Sequence, residues 1–200
     1  MRTPVLDLFR PSFHALCRAY FGLELRGTEH IPIEGPVIIV PNHQTFADPA
    51  LVTIPVRRPV HYMAWARLFT IPLFGTFIRA LRAFPVELDK SDGPAVRAAV
   101  RLLRAGEAVM IFPEGGRTKN GRLQPFKLGA FRLAVTHETP VLPVTIAGAW
   151  ETWPPDRTLP RRGRVTITYH KLEWAVRGMD RRDAARDLCD RTVAAIASAL

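Results

Sequence analysis

Apolar residues follow two rhythms along this chain, and the two alternate. Short, β-branched runs at residues 37–40, 60–64, 108–112, 141–147 and 164–170, with a weaker one at 84–86, have the length of β-strands. Pro41 and Pro113 end the run at 37–40 and the run at 108–112. Between and after these runs, apolar positions recur three or four apart, the period of a helix, over residues 49–53, 72–82, 92–105, 129–137 and 180–200. Pro49 follows Asp48, so the first helix begins with proline at its first position and aspartate as the candidate N-cap. Over 92–105, Val96, Val100 and Leu103 share a side and Gly106 stops the helix; over 180–200, Leu188, Val193 and Ile196 are the inward candidates. Strands alternating with helices predict a single-domain α/β sandwich over residues 24–200, with a mixed, largely parallel sheet.

Two segments depart from this pattern. Residues 11–23 read as a short amphipathic helix with Phe13, Leu16, Cys17 and Tyr20 on one face and Arg10 and Arg18 on or beside the other. At about 1.5 Å per residue it spans roughly 20 Å, short of a ~30 Å bilayer core. The N-terminal unit, residues 1–23, therefore either docks on the core or lies in a membrane interface with its arginines at the headgroups. Residues 65–84 carry Trp65, Leu68, Phe69, Ile71, Leu73, Phe74, Phe77, Ile78, Leu81 and Phe84, with Arg67, Arg79 and Arg82 interspersed. They form either a buried helix pair or an arginine-edged apolar patch that meets lipid or an acyl chain.

Charge narrows the classes of partner. Lys plus Arg number 28 against 18 Asp plus Glu, for a formal net charge of +10 in 200 residues. All but four of the basic residues are arginines, the side chain that forks onto phosphates and carboxylates. Anionic partners follow: an anionic membrane surface, phosphorylated substrates or nucleic acid. The arginines are spread along the chain, without a zinc-knuckle, homeodomain or RNP-like pattern, so no nucleic-acid partner is expected. Cys17 and Cys189 form no metal-type or redox pair and read as reduced thiols in a cytosolic setting. No apolar run approaches the roughly 18 residues of a membrane span, and the N-terminus lacks the h-region of a signal peptide. The expectation is a protein at the cytoplasmic face of a membrane, peripheral or monotopic.

Candidate chemistry lies in the loops after strands. His43 follows the first strand and Asp48 comes five residues later. The aspartate can accept a hydrogen bond from one imidazole nitrogen, fixing the tautomer and leaving the other as a base. In isolation the same residues describe a loop histidine beside an N-capping aspartate. A second cluster, Phe112-Pro113-Glu114-Gly115-Gly116-Arg117, follows another strand. Its glycines let backbone approach a ligand, Glu114 can bind hydroxyls, and Arg117 can clamp a phosphate. A third segment, Val141-Leu142-Pro143-Val144, reads alone as a buried strand. His30, His61, His137 and His170 are scattered and read as structural or solvated, and no ligand set suggests a metal.

In that order and spacing the three segments resemble the glycerolipid acyltransferase family, the 1-acyl-sn-glycerol-3-phosphate (lysophosphatidate) acyltransferase type. Asn42, His43 and Asp48 match its Asn-His-x4-Asp motif, and 112–117 match Phe-Pro-Glu-Gly-(Thr/Ser)-Arg with Gly116 in place of the hydroxyl residue. Gly121-Arg122-Leu123, Phe126-Lys127 and Gly129 match the continuation, and the strand around Pro143 matches the fourth motif. The resemblance covers roughly residues 22–149. In the second motif Pro72, Phe74, Gly75, Val86 and Glu87 match, but Leu88 stands where the family has an arginine that helps hold the acceptor phosphate. Lys90, Arg79 or Arg82 can supply that charge. The N-terminal anchor, two helices in many members, is here shortened to one.

The resemblance implies transfer of a fatty acyl group from acyl-CoA or acyl-carrier protein to a lysophospholipid hydroxyl, most simply that of 1-acylglycerol-3-phosphate, with no cofactor. It makes His43 the base and Asp48 its support. Glu114, Gly115, Gly116, Arg117, Lys127, Arg79, Arg82 and Pro143 become the substrate-binding set, with glycine-loop amides at the oxyanion. The sequence has no Gly-x-Ser-x-Gly elbow, consistent with direct transfer. Two other readings stay open: an acyltransferase for another amphiphilic alcohol such as a lyso-ornithine lipid, and a non-catalytic basic lipid- or nucleic-acid-binding protein.

Overall fold

The computed structural model describes residues 4–87, 93–154 and 156–200. Leu88 and Lys90 of the second motif lie outside the described residues, as does Asp92 at the start of the expected helix 92–105. The strands are β1 (Glu24–Arg26), β2 (Val37–Pro41), β3 (Val60–Trp65), β4 (Ala83–Val86), β5 (Ala108–Met110), β6 (Val141–Ala147) and β7 (Thr166–Tyr169). They form one sheet in the order β1-β7-β6-β2-β5-β3-β4. Its pairs are parallel except β6 with β7.

Central β2 is buried at every position, as a strand covered on both faces must be. Its alternation feeds two cores. Val37 and Ile39 join Leu51 and Val52 of helix α2 (Asp48–Thr53) on one face. Ile38 and Val40 join residues of α4 (Gly93–Arg104), α5 (Gly129–Thr136) and α7 (Arg181–Ala197) on the other. The chain leaves β2 over the first face toward β3, and leaves β5 over the second toward β6. Because β2 and β5 are neighbours, their C-terminal ends open a crevice between diverging connections, where open α/β sheets place their ligands.

Several expected elements shift. Helix α1 (Pro4–Phe21) starts before residue 11 and carries Pro11 inside it. It docks through Cys17, which is buried, and through the Tyr20 hydroxyl, which donates to the Pro160 carbonyl at 3.0 Å, while Phe13 and Leu16 stay exposed. The inward face of α4 is Ala95, Ala99 and Leu103, at i, i+4 and i+8. Val96 is 50% exposed, because two small alanines let the helix sit close to the sheet and turn the branched side chain outward. The run at 108–112 pairs only to Met110, after which the chain turns into the site loop. β1 and α6 (Ala149–Thr152) give too little signal to be read: one is three residues with a single apolar position, the other a single turn.

The stretch at 65–84 is not a buried pair. It is a short 3-10 helix (Ala66–Thr70), helix α3 (Phe74–Ala80) and edge strand β4, and only Gly75 of α3 is buried. A Cβ on Gly75 would stand 2.4 Å from the Phe69 carbonyl oxygen, so glycine is what lets α3 fold onto the preceding turn. Leu73, 87% exposed, Phe77, 56% exposed, Ile71 and Phe74 face outward. Pro85 sits within β4 at the rim of the sheet.

Asn42 extends the β2–β6 pairing by side chain. Its Oδ1 accepts from the Ile146 N–H at 2.7 Å and its Nδ2 donates to the Ile146 carbonyl at 2.9 Å, with both residues buried. Asn42→Ala strips both groups of their partner and should destabilise the fold by about 2–4 kcal/mol, read by urea denaturation; a loss under about 0.5 kcal/mol would contradict this role.

Candidate active site

The loop leaving β2 is organised around one carboxylate. Asp48 is fully buried. Its Oδ2 accepts from the backbone N–H groups of Gln44 at 2.5 Å and Thr45 at 2.8 Å, and lies 2.8 Å from His43 Nδ1. Its Oδ1 accepts from the Thr45 hydroxyl at 2.7 Å. These donors lie before the aspartate, so the side chain turns back into the loop rather than forward onto the helix. Ala47 occupies the N-cap position of α2, with no side-chain cap. The expected N-cap role of Asp48 is thus corrected: a buried charge needs donors on every side, and the loop supplies more than the helix start would.

With Nδ1 engaged by Asp48, the imidazole is oriented and its Nε2 is the nitrogen left for a substrate proton. The ring stacks on Phe112 at 4.0 Å between centroids and 26° between planes. This contact follows from the register: Ile39 of β2 pairs with Met110 of β5, so residues just beyond the two strands meet. The backbones are tied as well, the Thr118 N–H donating to the His43 carbonyl at 2.8 Å.

Glu114 has a positioning role beside the one expected of it. One carboxylate oxygen accepts from the His43 N–H at 2.6 Å and the other from the Gln124 N–H at 3.0 Å. Both oxygens brace the two loops against each other, so the side chain positions His43, and each keeps a further lone pair. Burial pushes its pKa up to about 7, with Asp48 adding to the rise and the two backbone donors opposing it.

The cationic residues divide. Arg117 lays its guanidinium 3.3 Å from the centroid of the exposed Phe46 ring, within electrostatic reach of Asp48, at the mouth of the loop. Lys127 passes over Gly115: a Cβ there would meet its ammonium nitrogen at 2.6 Å, and Gly115 has φ +74. The positive φ is what calls for glycine at 115, since the Lys127 tip is flexible and could move aside. Gly116 is not required, since a Cβ would meet nothing within 4 Å, and the hydroxyl residue of the resembled motif would fit. Arg79 stacks on Phe69 at 4.8 Å and Arg82, φ +68, lies in the electrostatic range of His61 and Tyr62; both stand at the β3–β4 side of the sheet. Pro143 is buried inside β6 opposite Val40, where its part is packing and it presents no surface to a substrate. Sequence reasoning missed Thr45, Gln44 and Gln124. Thr45, three residues before a loop aspartate, carries a readable signal; the other two act through tertiary contacts that no spacing encodes.

Glu114 also sets a pH dependence. Its folded pKa, about 7, lies above the ordinary 4.5, so between these values the fold holds a proton that the unfolded chain has released. Its contribution is fully present below about pH 4.5 and is lost as pH rises through 7. Wild type should lose about 1–2 kcal/mol relative to Glu114→Gln across that window, after discounting for partial exposure, in denaturation at stepped pH; a constant difference would exclude the shift.

The chain can now be set beside known proteins. A family model described as Acyltransferase matches residues 22–147, which contain the His43 loop, the Glu114–Arg117 loop and β6. A chloroplastic 1-acyl-sn-glycerol-3-phosphate acyltransferase of Brassica napus is 30% identical over 180 residues, covering 84% of this chain and 52% of that protein. The 1-acyl-sn-glycerol-3-phosphate acyltransferase of Bacillus subtilis (strain 168) is 29% identical over 128 residues, 64% of this chain and 63% of that one. The chain thus spans between about half and two thirds of the length of these curated relatives. The crystal structure of the 1-acyl-sn-glycerophosphate (LPA) acyltransferase PlsC from Thermotoga maritima superposes with a TM-score of 0.72 at 26% identity, over 88% of this chain and 72% of that one. With the matched region enclosing both site loops and the fold shared with a solved member, the chain belongs to the acyltransferase family.

Proposed function

We propose that the protein transfers a fatty acyl group from a thioester donor to the free hydroxyl of a lysophospholipid, with 1-acylglycerol-3-phosphate as the acceptor and phosphatidate as the product. The observation that carries this is the His43–Asp48 pair, 2.8 Å apart at the mouth of the β2–β5 crevice. The acceptor oxygen attacks the thioester carbonyl carbon while its proton passes to His43 Nε2. Collapse of the tetrahedral intermediate breaks the carbon–sulfur bond, and the thiolate takes the proton back from His43. Asp48 holds the ring and stabilises the imidazolium. Backbone amides of the glycine loop are the groups at hand for the oxyanion, a kind of contact worth about 3 kcal/mol per donor in other enzymes. Arg117 and Lys127 bring positive charge to the same loop, where an acceptor phosphate is held.

Among the described residues no helix is long and apolar enough to cross a membrane. The acceptor is a membrane lipid, so the site must come to the bilayer. The apolar face of Leu73, Phe74 and Phe77, edged by Arg67 and Arg79, provides the contact: apolar side chains enter the interface and arginines meet anionic headgroups. The protein then works peripherally, on the cytoplasmic face.

Two outcomes test this reading. His43→Ala should lower acyl transfer to lysophosphatidate by at least about a hundredfold with an unchanged circular dichroism spectrum, assayed with both acyl-CoA and acyl-carrier protein; near-normal turnover would remove His43 as the base. Leu73→Glu with Phe77→Glu should abolish co-sedimentation with vesicles containing phosphatidylglycerol, and equal sedimentation of variant and wild type would place the membrane contact elsewhere.

A further inference from the structure

A cavity of about 450 Å³, within the ~300–1,000 Å³ of small-molecule sites, opens behind the catalytic loop. Lys119, Trp150, Glu151, Asp156, Arg157 and Arg161 line it. Two contacts tie it to the base. The backbone N–H of Trp150 donates to the Gln44 side-chain carbonyl at 3.0 Å, next to His43 in sequence. On the other side, Thr118, the neighbour of Lys119, is bonded to the His43 carbonyl. Gly121, φ +76, lies so close to the Trp150 indole that a Cβ would stand 3.1 Å from its ring, and the segment beyond Arg117 thereby closes one wall. The far wall is fixed by Arg161, whose Nε donates to the Glu151 carbonyl at 2.6 Å and whose N–H donates to the Thr152 carbonyl at 2.8 Å.

The lining is chemically mixed. Three cations suit phosphates, two carboxylates accept from hydroxyl or amino groups, and an indole offers a flat apolar face. A bare phosphate headgroup uses the cations and leaves the carboxylates as a repulsion. An acyl chain uses neither. A nucleotide bearing phosphates uses all three. The reaction also requires a second anion site, because donor and acceptor both carry phosphate and Arg117 with Lys127 serves the acceptor from the Phe46 and Gly115 side of the loop.

We infer that this cavity holds the phosphorylated adenosine end of an acyl-coenzyme A, with Lys119, Arg157 and Arg161 on its phosphates, Glu151 and Asp156 on its hydroxyl or amino groups, and Trp150 against the base. The inference rests on the acyl-transfer reading and names its donor. The thioester arm then runs from the cavity past Gln44 to His43.

The test is calorimetric titration of the purified full chain with coenzyme A, which measures binding without turnover. Wild type should bind saturably, and adenosine 3′,5′-bisphosphate should displace the ligand while inorganic pyrophosphate at the same concentration does not. Lys119→Ala with Arg157→Ala, both at exposed positions, should weaken binding at least about tenfold at an unchanged melting temperature. In turnover the same variant should raise KM for acyl-CoA and leave KM for lysophosphatidate unchanged. Equal affinity of variant and wild type overturns the assignment, as does displacement by pyrophosphate or lysophosphatidate as effective as by the nucleotide. If coenzyme A does not bind while His43-dependent transfer proceeds from acyl-carrier protein, the cavity assignment fails and the acyl-transfer reading stands. If coenzyme A binds as described and His43→Ala remains fully active, the cavity stands and the role of His43 falls.

Discussion

A buried carboxylate that must be satisfied governs this molecule. Asp48 has no exposure to water, and an unpaired charge there would cost more than the fold can carry. The backbone before it curls until two amides and a hydroxyl point at the carboxylate. Once that curl exists, His43 has one place to put Nδ1, and its ring falls onto Phe112. The geometry attributed to catalysis is thus the geometry that the burial of a charge demands. The histidine is pre-oriented by a structural necessity rather than by contacts that form only with substrate.

The sheet supplies what the loop cannot. Adjacent parallel strands β2 and β5 end at the same level, so two loops 71 residues apart in sequence, counted from His43 to Glu114, become neighbours. Three braces reach the His43 segment: Asn42 to Ile146 at the β6 side, Glu114 and Thr118 from the β5 side, and Gln44 to Trp150 beyond β6. Glu114 and Thr118 hold the backbone of His43, while Asn42 and Gln44 are anchored by their side chains on the backbone of Ile146 and Trp150. Among the described residues, small rotations of the imidazole are set by Asp48 and Phe112, while the frame around them is shared among three strands.

Much of this was legible in the sequence. The six β-branched runs and the helical stretches between them carried the α/β architecture, because strands covered on both faces must be continuously apolar, as β2 is. The pair His43 and Asp48 was open in isolation, a dyad or a loop histidine beside an N-capping aspartate, and the resemblance carried by the three ordered segments singled it out. The partners of that pair were not legible. That Glu114 also braces the His43 backbone could not be read, because it depends on the register of β2 on β5. Pro143 belonged to a recognisable segment, yet its place inside β6 is fixed by strand pairing that a single sequence does not contain. Val96 faced the wrong way for a similar reason: the α4 face is chosen by how closely alanines approach the sheet, and hydropathy ranks valine above alanine. The short elements β1 and α6 exist through their tertiary partners and have little local signal.

Edge strand β4 shows a cost and its remedy in one place. The segment before it exposes leucine and phenylalanine side chains, the kind of surface by which folded proteins stick to one another. A free strand edge beside such a surface would offer a template for chain-to-chain pairing as well. Pro85 removes a donor from that edge, and the arginines around it add mutual repulsion between molecules. Colloidal behaviour in water and the membrane contact proposed for this face are opposing demands on the same square nanometres. Here they are separated by direction: apolar side chains project outward from α3, while the backbone ribbon beside them is denied a partner.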